Sequence, residues 1–269
     1  MAFFNRKKPN HVAIVRIDGV ITDSEADSTR TKVIKNLNKA YKAGVKAVVL
    51  RINSPGGTVG ASQELHAAIL KLRDKGIPVV ASMSDIAASG GVYIAIAANK
   101  IVANPGTITG SIGVIIATAN AHQLMEKVGV NREVIKSGPF KDVLSPFRAM
   151  TDEERSLLQG VIDDAYDQFV EAVSTARGIP AERVREFADG RIFTGRQAKE
   201  WGLIDELGGL QTAVELAGKV AGIEGLPKTI ELTIEKPFWK KFLGPFGRTA
   251  SLWSERAELQ GVPLWLMPR

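Results

Sequence analysis

Ser89 is followed by Gly90 and Gly91 and lies between an apolar, β-rich run and the apolar stretch 92–98. That pattern reads as a strand turning into a helix. The backbone N–H groups of a first helical turn have no partner within the helix. A carbonyl attacked by the Ser89 oxygen would develop negative charge where the Gly90 N–H can stabilise it, and glycine permits the close approach this requires. Two more turns share the composition: Asn53-Ser54-Pro55-Gly56-Gly57 and Thr109-Gly110-Ser111-Ile112-Gly113. Gly56 and Gly57 follow an apolar run and can supply a second backbone donor. The chemistry these residues suggest is acyl transfer through a nucleophilic serine. Each turn, taken alone, is also an ordinary N-cap or strand–helix connection.

A serine nucleophile needs a base. The chain has three histidines, His11, His66 and His122, and none sits in a triad-like motif. Lysine is the other choice, provided its amine is kept neutral. Lys141 stands in Lys136-Ser137-Gly138-Pro139-Phe140-Lys141-Asp142, a Gly-Pro turn with Phe140 and Val143 beside it. The residues alone leave the base open between His122 and a lysine.

The elements that must position these residues alternate. Short β-branched runs at 12–17, 46–52, 77–82, 100–103 and 112–117 predict strands. Helical patterns cover 25–43, 58–74, 89–98, 120–128, 151–177, 181–188, 195–201 and 210–221. Strands separated by helices predict βαβ units around a largely parallel, buried sheet, an α/β fold whose ligands bind at the carboxyl edge of the strands. Thr151 and Glu154 form a capping box at the start of 151–177, and Gly178 ends it.

Composition narrows the chemistry further. There is no cysteine, which excludes disulfides, cysteine-ligated metals and thiol nucleophiles, and the three histidines are too scattered for a zinc motif. No cofactor is expected. The formal net charge of +6 is confined to the ends. Residues 1–9 carry three basic side chains, residues 235–269 carry six basic and three acidic ones, and the body 10–234 is balanced at 26 of each. Such a body has no footprint for nucleic acid. Phe238, Trp239, Phe242 and Phe246 interleave with Lys240, Lys241 and Arg248, a pattern suited either to subunit assembly or to peripheral contact with an anionic membrane. No run is long and apolar enough to span a bilayer and no leader pattern is visible, so the cytoplasmic side is the expected location.

Five segments in register resemble the signal peptide peptidase A (SppA/SohB) type of serine peptidase. They are 53–57, 88–91, the run 103–114, 136–142 with Ser145-Pro146, and 189–198 followed by 202–208. The resemblance covers about residues 10–220. It implies a ClpP/crotonase-like fold with parallel sheet layers flanked by helices, and a Ser-Lys dyad. Carried onto this chain, Ser89 is the nucleophile, Lys141 the general base and Ser111 the residue that holds the lysine amine. Gly57 and Gly90 supply the oxyanion hole. It also implies a ring-shaped homo-oligomer, in some members with the dyad shared between subunits. Cleaved signal peptides and other short or unfolded apolar segments are the implied substrates. Two features depart from the family pattern: no N-terminal anchor is visible, and the aromatic-basic segment after 235 has no counterpart. The rival readings are a crotonase-like acyl-CoA enzyme, which lacks its glutamate in the glycine-rich turns, and a non-catalytic peptide- or membrane-binding scaffold.

Overall fold

The computed structural model describes residues 10–24 and 28–232, and the backbone of 264–266. The aromatic-basic residues 238–248 and the N-terminal basic cluster lie outside these residues. In chain order the elements are β1 (His11–Asp18), α1 (Thr29–Ala43), β2 (Ala47–Ser54), β3 (Gly56–Thr58), α2 (Val59–Asp74) and β4 (Val79–Ala88). Then follow α3 (Gly90–Ala95), β5 (Lys100–Ala103), β6 (Ile108–Gly110), α4 (His122–Lys127), α5 (Asp152–Arg177) and α6 (Ala181–Arg185). The chain continues through β7 (Ile192–Thr194), α7 (Gly195–Glu200), β8 (Glu206–Leu207), α8 (Leu210–Val220), β9 (Lys228–Leu232) and β10 (Leu264–Leu266).

Among the described residues the main sheet runs β7-β6-β4-β2-β1-β9, with β5 and β8 branching from β4. All its pairings are parallel except β6 with β7. The branch arises inside β4. Its first half, Val80 to Met83, pairs with β5, and its second half, Ile86 to Ala88, pairs with β6. The sheet therefore forks on the approach to Ser89, and β6 is carried alongside it.

Both faces of the central strands are covered, as their unbroken apolar character predicts. Strand alternation divides the core in two. Ala13, Val15 and Ile17 of β1 and Val48, Leu50 and Ile52 of β2 pack with Leu37, Leu65, Ile69 and Phe169 on the helical side. Val12, Ile14, Ala47 and Val49 face Ala213, Val214 and Ala217 of α8. Truncating one such side chain to alanine typically costs about 2–5 kcal/mol.

Two sequence expectations are corrected. The run 112–117 is not a strand of the sheet. β6 is Ile108–Gly110, and positive φ at Gly110 (80°) and Ser111 (51°) turns the chain off the sheet before the β-branched run begins. The strand expected at 77–82 extends to Ala88, because Thr109 Oγ donates to Ala87 O and β6 pairs with its far end.

Candidate active site

Ser89 closes β4 and precedes α3, and its backbone is strained. Its φ of 52° and ψ of −115° lie in a region that side-chain-bearing residues rarely adopt. Such a conformation costs on the order of 1–3 kcal/mol and persists only where the surroundings impose it. Its N–H donates to Gly110 O at 2.8 Å, and its C=O accepts from Tyr93 N at 3.0 Å. The side chain is 1% exposed, and its Oγ has no hydrogen-bond partner within the described residues. A buried hydroxyl ordinarily finds a partner. This one is held rigidly and left open.

Ser111 is locked to the same spot from the other side. It directly follows Gly110, the residue whose carbonyl holds Ser89. Its own N–H donates to Arg191 O at 2.7 Å, and it too has positive φ and is buried. A Cβ on Gly110 would lie 2.6 Å from the Phe193 ring and 2.8 Å from Arg191 O, so this tight link between the two serines requires glycine. Ser111 also lines a cavity of about 350 Å³ together with Val114, Ile115, Tyr166, Asp163 and Asp189. The Arg191 guanidinium and backbone hold the Asp189 carboxyl down at about 2.

Gly57 sits in β3, against which α3 packs. On one edge Ile21 N donates to Gly56 O at 2.8 Å and Thr58 N donates to Ile21 O at 2.9 Å. A Cβ on Gly57 would lie 1.9 Å from Ile21 O. Because these bonds use Gly56 O and Thr58 N, strand alternation turns the N–H of Gly57 to the opposite edge. That edge carries β10, paired antiparallel with Trp265 opposite Gly57, and β10 also lies against α2 and α3. The N–H of Gly90, at the first position of α3, has no partner within that helix.

Lys141 is not joined to either serine by a hydrogen bond among the described residues. It is exposed in a turn at 138–145. The whole segment 116–150 contains no buried residue, and it displays Leu124, Val128, Ile135 (96% exposed) and Phe140 to solvent. No histidine is hydrogen-bonded to Ser89 Oγ among the described residues. His122 is on exposed α4, 3.6 Å from Glu126. His66 lies against Tyr93 with ring centroids 4.9 Å apart and planes tilted by 47°, and burial, helped by Arg73, pushes its pKa down.

A profile of peptidase family S49 matches residues 71–224, a span holding Ser89, Ser111 and Lys141. This chain belongs to peptidase family S49. It is a peptidase. A Synechocystis protein with a provisional protease name is 47% identical over 94% of this chain and 95% of its own length. An Enterococcus faecium protein provisionally named signal peptide peptidase SppA is 38% identical over 74% of this chain, and the match spans 60% of that relative. The Arabidopsis thaliana chloroplastic serine protease SPPA is 37% identical over 84% of this chain but a third of its own length, 33%. A solved membrane-bound stomatin-specific protease superposes with a TM-score of 0.59 over 84% of this chain and 99% of its own, at 18% identity. That likeness supports the ClpP/crotonase-like fold of the S49 chain. Among the described residues no helix is long and apolar enough to cross a membrane.

Three parts of the site escape sequence reasoning. Ile21, which fixes the direction of Gly57, is an apolar residue in a loop. Arg191 and Phe193, which clasp Gly110 and Ser111, come from the start of β7 and the residue before it. β10 pairs across about two hundred residues of sequence. The run 189–198 was a usable signal for the second of these, since it follows the same register as the serine turns.

Proposed function

We propose that this S49 peptidase is a serine endopeptidase with a Ser-Lys dyad: Ser89 as nucleophile, Lys141 as general base, Ser111 orienting the lysine amine, and the N–H groups of Gly57 and Gly90 as the oxyanion hole. The observation that carries this reading is Ser89 itself, strained, buried and with an unpartnered Oγ at the mouth of α3. Neutral Lys141 accepts the Ser89 proton as Oγ bonds to the substrate carbonyl carbon. The resulting ammonium then protonates the leaving amine as the C–N bond breaks. Water, deprotonated by the same lysine, hydrolyses the acyl ester and restores Ser89.

Lys141 lies on an exposed segment rich in outward-facing apolar residues. The reading is therefore that a neighbouring subunit supplies Lys141 to Ser89 within a homo-oligomeric ring. An exposed apolar surface of this kind is suited to burial against another copy. The pairing of β10 with β3 supports an extended substrate added as an antiparallel strand, with the residue opposite Gly57 presenting its carbonyl to that N–H. Such main-chain recognition suits short or unfolded apolar peptides, cleaved signal peptides among them. The two basic ends, 1–9 and 235–269, are proposed to hold the enzyme peripherally on the cytoplasmic face of an anionic membrane.

The test is hydrolysis of a panel of fluorogenic apolar peptides by wild type, Ser89→Ala and Lys141→Ala, with assembly measured for each. Cleavage by wild type and loss in both assembled variants supports the dyad. An active Lys141→Ala removes the lysine as base. An assembled wild type inert on every peptide favours a peptide-binding scaffold.

A further inference from the structure

The turn bearing Lys141 contains a carboxylate next to the amine that must stay neutral. Asp142 is the adjacent residue, and a free carboxylate there would pair with the Lys141 ammonium and hold the proton on it. The structure spends both Asp142 oxygens elsewhere. Oδ1 accepts from Lys136 Nζ at 2.6 Å and from Arg148 Nη2 at 2.7 Å, and Oδ2 accepts from Arg148 Nε at 2.8 Å. These donors hold the Asp142 carboxyl well below the usual carboxylate range.

The same two cations fasten the turn on both sides of Lys141. Lys136 Nζ also donates to Pro139 O at 3.0 Å, before Lys141, and Arg148 Nη2 donates to Asp142 O at 3.3 Å, after it. Arg148 is itself anchored to Glu154, the capping residue of α5, through Nη1 at 2.8 Å and a second contact from Nη2. The set of Lys136, Arg148, Asp142 and Glu154 is charge-neutral as a whole. Lys141 is left as the cation of the turn without an ion pair among the described residues.

We propose that Lys136 and Arg148 are positioning residues for Lys141: by saturating Asp142 they fix the turn and keep its carboxylate from capturing the Lys141 amine. The inference rests on Lys141 being the base. It differs from a purely structural role in one consequence, which is that removing the carboxylate should repair the loss of its partner.

The experiment compares Lys136→Gln, Asp142→Asn and the double variant as assembled full-length protein, on one apolar fluorogenic peptide. Lys136 bonds to Asp142 and Pro139 O and not to Glu154, so its loss leaves the Arg148–Glu154 pair in place. Lys136→Gln is expected to lower kcat roughly 10-fold, with KM within about twofold and melting temperature and assembly unchanged. The double variant is expected to recover most of that rate. A Lys136→Gln enzyme with wild-type kcat overturns the proposal, as does a double variant no faster than the single one. Lys141→Ala run alongside separates the two readings. If it is dead while Lys136→Gln is unaffected, only the positioning role fails; if it is active, the lysine-base reading fails and this one with it.

Discussion

At the scale of single residues, the site depends on backbone directions that few residue types can hold. Gly57 is the clearest case, because any Cβ there collides with the carbonyl of Ile21. Gly57→Ala is expected to lower kcat about 10²- to 10³-fold, as loss of an oxyanion donor does, and to destabilise the chain by about 1–3 kcal/mol through the forced shift of β3. Steady-state kinetics and urea unfolding of the same sample check both. Ser89→Ala removes the nucleophile and is expected to cost at least about 10⁴-fold in kcat, while relieving no packing. The glycine and serine positions themselves were legible in the sequence, because turn chemistry is local. Which way Gly57 points was not, since Ile21 decides it from more than thirty residues away.

At the scale of elements, α5 and the turn before it form one unit. Thr151 Oγ accepts from Glu154 N at 3.2 Å, and Glu154 Oε2 accepts from Thr151 N at 3.0 Å, so the capping box read from the sequence is present. Glu154 is 3% exposed, and Arg148, with the Thr151 N–H, holds its carboxyl at about 2. A carboxyl depressed in the folded state stabilises above its unfolded pKa, near 4.3, and that contribution disappears as pH falls toward about 2. The urea midpoint is therefore expected to drop between pH 5 and pH 2, and Glu154→Gln should make that drop shallower. An identical pH dependence in the variant would contradict the assignment. Long, periodic elements such as α5, α2 and the central strands were legible because their apolar spacing matches their burial. The short strands β3, β6, β7 and β8 were not, because two or three residues carry no period and their pairing is set by partners far along the chain. The run 112–117 misled for the related reason that β-propensity yields to a backbone turned by Gly110 and Ser111.

At the scale of the whole molecule, the body and its ends separate. The edge of β3 that faces β10 is the place assigned to substrate, so removal of residues 262–269 is expected to raise kcat/KM for short peptides severalfold. An unchanged value would mean that β10 does not compete there. Truncation at 234 tests the basic, aromatic segment. Sedimentation with anionic vesicles should weaken on its removal, and equal binding by both forms would rule out its membrane role. Sharing of the dyad makes a stronger claim. Ser89→Ala and Lys141→Ala, each inactive alone, should regain activity when co-assembled, because some interfaces then hold an intact pair. Absence of recovery in verified mixed assemblies would place both residues of the dyad in one subunit. The central claim, that Ser89 is a nucleophile activated by Lys141, is tested most directly by covalent labelling with a fluorophosphonate followed by peptide mass mapping. The account predicts one adduct, on Ser89, in the assembled wild type, and almost none in assembled Lys141→Ala. An adduct on another serine, or equal labelling of Ser89 without Lys141, would contradict it.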